Sequence, residues 1–313
     1  VISIVIPVHD ERDNLLALYE SLTDALLGLS EPFEVLWVDD GSSDGSAEVL
    51  RELARKEDTN KVVCLRRNFG QTAALMAGID HAKGDVVIPM DGDGQNDPAD
   101  IPRLLDKLAE GYDVVSGWRR DRRDARRRTF TSRVANALIA RLSGVGLHDF
   151  GCTLKAYRRE VLGRIRLYGE MHRFIPIYAS WQGARVTEIP VRHHPRRHGE
   201  SKYGFERVFK VLLDLLVVSF LGRFETKPIY VFGGFALLTW VVAGLAAAYA
   251  VYLKYFESTT FIQTPLPLIA VISFNTGVTS LLMGFLAEIL MRTYFESQEK
   301  MPYAVRHTLN LEP

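Results

Sequence analysis

Two stretches near the carboxyl end, Ile229–Leu253 and Ser258–Ala287, contain no charged residue, and nothing else constrains this chain as strongly. A helix needs about 20 apolar residues at 1.5 Å rise to cross a bilayer core, so each stretch is long enough. Lys227 and Lys254 bracket the first; Glu288 and Arg292 close the second. A soluble core rarely needs two such runs side by side. The short link Lys254–Pro265 makes them a transmembrane hairpin, with spans expected at about 229–253 and 266–289.

Lysine and arginine placement orients the hairpin. Arg223 and Lys227 precede it, and Arg292, Lys300 and Arg306 follow it. The connecting loop holds only Lys254, offset by Glu257. Both ends, and the domain before them, are therefore expected on the cytoplasmic face of the cell (inner) membrane. The segment Phe205–Phe224 sets Arg207, Lys210 and Arg223 among Val, Leu and Phe, the pattern of a helix in the membrane interface. The expected organisation is a cytoplasmic α/β domain over 1–204, a juxtamembrane amphipathic helix over 205–227, the hairpin over 228–292 and a cytoplasmic tail over 293–313. Gly233, Gly234, Gly277 and Gly284 offer small-residue packing surfaces, and a homo-oligomer is expected.

The first two hundred residues read differently. Strand patterns at Val1–Pro7, Phe33–Asp39, Lys61–Arg66, Asp85–Met90 and Asp113–Gly117 alternate with helical ones at Asn14–Leu29, Ser46–Lys56 and Thr72–Ala82. Such alternation predicts a Rossmann-like, mostly parallel sheet with helices on both faces. Ligands of such sheets sit beyond the carboxyl ends of the strands. The formal net charge of zero gives no field to attract nucleic acid. Cys64 and Cys152 have no metal-ligand spacing and are expected to stay reduced.

Carboxylates gather where the strands end. The first strand runs into Pro7-Val8-His9-Asp10-Glu11, the second into Asp39-Asp40-Gly41-Ser42-Ser43-Asp44-Gly45, and the fourth into Asp91-Gly92-Asp93-Gly94-Gln95. Two carboxylates one residue apart can share a divalent cation, and flanking glycines let a diphosphate approach the backbone. Hard oxygen ligands suit Mg²⁺ or Mn²⁺, which retain waters and bind through substrate phosphates.

Together these three segments resemble a family 2 glycosyltransferase with a GT-A fold. Arg67-Asn68-Phe69-Gly70-Gln71, Asp149-Phe150-Gly151-Cys152 and Gly199-Glu200-Ser201-Lys202-Tyr203 narrow the resemblance to the polyprenyl-phosphate branch. That branch includes dolichol-phosphate mannose synthases, bactoprenol glucosyltransferases and undecaprenyl-phosphate aminoarabinose transferases. The resemblance implies inverting, metal-dependent transfer of a sugar from a nucleotide-diphosphate sugar to a polyprenyl (undecaprenyl or dolichyl) phosphate. It implies that Pro7, His9, Glu11, Asp40 and Arg67 line the donor nucleotide pocket. Asp91 and Asp93 would hold the metal and the donor diphosphate, with Gln95 as a further contact. Arg119, Arg128 and Arg197 would bind the acceptor phosphate, Lys202 would close over the active site, and Asp149 would orient the acceptor or serve as base. The family's usual Asn stands here as Asp10 and its usual aromatic as His9.

A phosphate monoester has a second pKa near 6, so the acceptor is already largely dianionic at neutral pH. It needs positioning more than deprotonation. The run Arg119–Arg128 reads either as a solvated charge run or as a cationic collar for a lipid phosphate and an anionic membrane surface. A processive polysaccharide synthase is a rival reading, since Gln182-Gly183-Ala184-Arg185 begins like that class's Gln-x-x-Arg-Trp pattern; Val186 then stands in the Trp position. A non-catalytic membrane scaffold or lipid-sugar carrier is another, and the intact Asp91/Asp93 pair argues against it.

Overall fold

The computed structural model describes residues 1–120, 136–137, 139–141, 143–163, 171–195, 229–258, 260–296 and 302–311. The chain divides into two compact units, residues 1–219 with 301–313, and residues 220–300.

The first unit is built on an eight-stranded sheet in the order β7-β5-β6-β4-β1-β2-β3-β8. Its strands are β1 (Ile2–Val8), β2 (Phe33–Asp39), β3 (Asn60–Leu65), β4 (Val86–Pro89), β5 (Val114–Trp118), β6 (Lys155–Arg158), β7 (Val186–Pro190) and β8 (Val305–Leu309). β4, β1, β2 and β3 run parallel, as do β5 and β7. β6 runs antiparallel between β4 and β5, and β8 antiparallel along β3. The expected mostly parallel α/β sheet is observed.

Central strands buried on both faces need apolar residues at nearly every position, and β1 reads Ile-Ser-Ile-Val-Ile-Pro-Val for that reason. Helices α1 (Arg12–Leu26), α2 (Ser46–Lys56), α3 (Gln71–His81) and α4 (Ile101–Ala109) follow β1, β2, β3 and β4 in turn. Ile4, Ile6, Leu15, Leu22 and Trp37 pack on one face of the sheet; Val5, Val38, Ala74 and Ala77 pack on the other. At Gly78 a Cβ would come within 2.2 Å of Val5 Cγ1, so α3 lies close against β1 only because that side chain is missing.

Three strands, β6, β7 and β8, lie beyond the five expected from the sequence. β6 is four residues long and begins with Lys155, so it lacks a strand's usual apolar signature. β8 lies within the expected tail, where Val-Arg-His-Thr-Leu covers the open edge of β3. Arg66 N–H donates to Ala304 O, and the Asn310 amide donates to Ala54 O and Asn60 O. A sheet edge left open invites foreign pairing, and the returning chain closes it.

The second unit holds two helices, Ile229–Phe256 and Leu266–Glu296, packed along each other. Their spans Val231–Phe256 and Leu266–Ala287 are long and apolar enough to cross a membrane. Ala236, Ala243, Ala246 and Ala250 form a buried small-residue stripe on the first. On the second, Ser280 Oγ donates to Phe232 O, and Gly277 lies against Trp240. Of the glycines expected to offer packing surfaces, Gly277 and Gly284 are buried within the pair, whereas Gly234 is exposed.

Candidate active site

The described loops expected to carry chemistry leave the same end of the sheet, and hydrogen bonds between them fix their relative positions. Asp10 adopts φ 55, a left-handed conformation that Asp and Asn tolerate better than other side chains. Asp for Asn therefore preserves the turn. The Asp10 carboxylate accepts from Ser43 N–H at 2.8 Å, its own N–H donates to Ser42 Oγ, and Glu11 N–H donates to Ser46 Oγ. Glu11 accepts from the Asn14 amide at 2.6 Å, and Pro7 O faces Gly92 of the next loop. His9 Nε2 lies 3.6 Å from Asp10.

Asp39 and Asp40 are both buried. Asp39 accepts from Ser42 N–H. Asp40 takes the N–H groups of Phe69 and Gly70, at 2.7 and 2.8 Å, where α3 begins. Burial raises the Asp40 pKa, and these two amides and His9 only partly oppose it. Gly41 has φ +68, and a Cβ there would come within 2.6 Å of Arg67 C, so this loop and the Arg67–Gly70 loop touch backbone to backbone. The Arg67 guanidinium lies over the Phe69 ring.

Asp91 and Asp93 follow β4. Gln71 Nε2 and Thr153 Oγ1 each donate to one Asp91 oxygen at 2.7 Å, and Asp91 N–H donates to the Asn96 side chain. Burial first, and Asp93 second, raise the Asp91 pKa, against Thr153, Arg119 and Arg173. Asp93 is buried, and it accepts from Gln95 N–H. Two carboxylates one residue apart at a strand end, one half-buried and one buried, are a donor set suited to a hard divalent cation. Among the described residues no third His, Cys, Asp or Glu completes a metal-binding group. Water and diphosphate oxygens would fill the remaining positions, as is usual for Mg²⁺.

Arg119, one residue past β5, binds Asp149 through Nε at 2.7 Å and Nη2 at 3.0 Å. This two-point pair raises the Arg119 pKa against the opposing effect of burial. Beside it Trp118 stacks on His148 at 4.4 Å, and Glu188 of β7 binds both His148 N–H and its ring Nδ1. Asp149 is therefore built into the site as the partner of an arginine. Gly151, whose absent Cβ would lie 3.2 Å from Arg119 Nη2 and 3.7 Å from Arg173 Nη1, lets both guanidinium groups approach.

The structure thus brings Pro7, His9, Glu11, Asp40, Arg67, Asp91, Asp93, Gln95, Arg119 and Asp149 to one end of the sheet. Arg128, Arg197 and Lys202, and the juxtamembrane segment 205–227, lie outside the described residues. Gln71, Asn96, Thr153 and Arg173 are site residues that the motifs did not single out for a role. Arg185 of the rival pattern lies just before β7, at the opposite end of the sheet, with its guanidinium over Tyr112.

Comparison with known proteins bears directly on this geometry. Residues 3–166 match the model of glycosyl transferase family 2. The chain is 39% identical to the dodecaprenyl-phosphate galacturonate synthase of Rhizobium johnstonii, over 97% of this chain and 92% of that protein. It is also 39% identical to the undecaprenyl-phosphate 4-deoxy-4-formamido-L-arabinose transferase of Edwardsiella ictaluri, over 98% and 94%. Among solved structures, glucosyl-3-phosphoglycerate synthase of Mycobacterium tuberculosis, in complex with Mn²⁺, UDP and phosphoglyceric acid, superposes with a TM-score of 0.54. That match has 20% identity and covers 71% of this chain and 78% of that one.

Proposed function

The chain belongs to glycosyl transferase family 2, and from that premise we propose that it transfers a sugar from a nucleotide-diphosphate sugar to a polyprenyl phosphate, with inversion, at the cytoplasmic face of the inner membrane. One observation carries the reading. The Asp91–Asp93 pair, half-buried and buried in turn, sits at the end of β4 within the influence of Arg119 and Arg173, so one site offers a cation position and fixed positive charge together. Two phosphate-bearing substrates can meet there without prohibitive repulsion. The two relatives named for polyprenyl-phosphate transfer, matched over nearly the whole chain, support the acceptor class.

Asp91 and Asp93 would hold Mg²⁺ or Mn²⁺ with Gln95 nearby, and the ion would stabilise the departing nucleoside diphosphate. Gln71 and Thr153 fix the Asp91 carboxylate, so the pair is oriented before substrate arrives. Pro7, His9, Glu11, Asp40 and Arg67 border the donor nucleotide, with Asp40 also shaping the Phe69–Gly70 turn. Arg119, held by Asp149, directs positive charge at the acceptor phosphate; by family resemblance Arg128 and Arg197 would share that role and Lys202 would close over the site. The acceptor needs no strong base, because its dianion is already the nucleophile near neutral pH. In-line attack on the anomeric carbon then inverts it. Residues 1–204, with β8 completing the sheet, form the catalytic domain and residues 228–292 its membrane anchor. The enzyme works as a homo-oligomer.

Incubation with undecaprenyl phosphate and a panel of UDP- and GDP-sugars, read by mass spectrometry of the lipid fraction, tests the reading. A sugar-phosphate lipid is expected from the wild type and none from Asp93→Asn, which should also lose metal-dependent nucleotide binding. Equal product from both proteins, or full activity in excess chelator, would overturn it.

A further inference from the structure

Lys155 plays no part in the mechanism above, yet it opens β6 at the same end of the sheet with only 2% of its surface exposed. Its ammonium donates to the carbonyl oxygens of Phe150, at 3.3 Å, and of Cys152. These two carbonyls flank Gly151, whose N–H closes onto Asp149 Oδ1 at 3.1 Å. At one end of this turn Asp149 binds Arg119; at the other Thr153 binds Asp91. A single turn therefore supplies the partner of a site arginine and the partner of a site carboxylate, and Lys155 ties it from behind.

We propose that Lys155 is a positioning residue for the transfer reaction, holding the 149–153 turn so that Asp149 meets Arg119 and Thr153 meets Asp91. The inference rests on the transferase reading. An ammonium suits the task because it carries three donors and satisfies two converging carbonyls at once. Its charge is expensive to bury. Burial brings the Lys155 pKa down to about 8, with Cys152 and Asp149 opposing and Arg119 and Arg173 adding to the fall. Burial pushes the Cys152 thiol up to about 11, and buried His172 completes the surroundings.

The sign of the linkage separates function from stability. A lysine whose folded pKa is depressed leaves the unfolded chain binding more protons between pH about 8 and the usual 10.5. Stability therefore rises with pH across that window, and below it the charged lysine weighs against folding. Replacing a buried ion by an apolar group of similar volume is often neutral for folding. A residue kept only for stability would not need to be a lysine here.

Lys155→Met keeps length and volume and removes the donors; Lys155→Gln restores an N–H donor. Hydrogen exchange across 148–154, thermal unfolding, Mn²⁺-dependent UDP binding and transfer against pH are measured on each full-length protein. Lys155→Met should unfold within a few degrees of wild type. Its 148–154 amides should exchange roughly tenfold faster and its turnover should fall roughly tenfold or more, the loss of a charge-assisted contact. The wild-type rate should decline above pH about 8 as Lys155 loses its proton, and Lys155→Met should lack that decline. Lys155→Gln should recover part of both losses. Unchanged exchange and turnover in folded Lys155→Met would overturn the proposal. So would faster exchange spread evenly over the domain with a matching drop in melting temperature, which marks a merely structural role. A wild type that transfers to no polyprenyl phosphate would sink the transferase reading instead, while the exchange comparison still decides whether Lys155 holds the turn.

Discussion

Asp149 shows how a residue's role depends on its partner. The sequence allows it to be an acceptor guide, a base or a turn residue. The structure puts it in a two-point ion pair with Arg119, both groups largely removed from water. Removing one member of such a pair leaves the other charge buried and alone, at a cost of about 3–5 kcal/mol. Arg119→Ala should therefore lose stability on that order in urea unfolding, and lose transfer as well. The double variant Arg119→Met with Asp149→Leu should regain most of the stability and none of the activity. Recovery of transfer in the double variant would show that neither charge serves the acceptor. The Asp91–Asp93 pair was legible in sequence because an apolar strand running into Asp-Gly-Asp-Gly carries its own context. The Arg119–Asp149 pair was not, because thirty positions separate its members.

Elements are held together by contacts well away from the site. At the amino ends of the strands, buried Glu34 of β2 accepts from Ser3 of β1, Lys61 of β3 and Lys83 N–H just before β4. Burial alone would raise its pKa, but these hydrogen bonds more than offset that and hold it lowered. The resulting stabilisation is present above the unfolded value of 4.5 and is lost as pH falls through the lower folded value. Glu34→Gln should cost about 1–3 kcal/mol at pH 7, with the gap to wild type narrowing as the medium is acidified. Transfer at neutral pH should be unaffected, since Glu34 lies at the end of the sheet opposite the site. In the apolar pair the tight point is Gly277, where a Cβ would fall 2.3 Å from Trp240 Nε1. Gly277→Ala should overpack the helices by about 1–3 kcal/mol, seen as unfolding at lower detergent denaturant and relieved by Trp240→Leu. Helices α1 to α3, the two apolar helices and strands β1 to β5 were readable from their periodicities; α4 was not. Strands β6, β7 and β8 were not, because short or edge strands need no apolar run, and only their neighbours make them strands.

For the whole molecule, the return of the chain into β8 constrains topology. Residues on both sides of the apolar pair belong to one sheet, so a hairpin that crosses a membrane twice returns the chain to the face it left. With lysine and arginine concentrated outside the loop, that face is expected to be cytoplasmic. A cysteine at Thr260 should react with an impermeant thiol reagent added outside intact cells. Labelling only after the membrane is opened would reverse the orientation.

The sequence alone determined the class of fold, the number of apolar spans and the carboxylates that end the strands. These are properties of local periodicity and of residues adjacent in the chain. Tertiary structure alone decided which charges meet. It set Lys155 behind the 149–153 turn, Thr153 and Gln71 on Asp91, and the last described strand on the edge of β3. The reason is physical: a buried polar group must find its partner wherever the fold brings one near, and sequence separation says nothing about that distance.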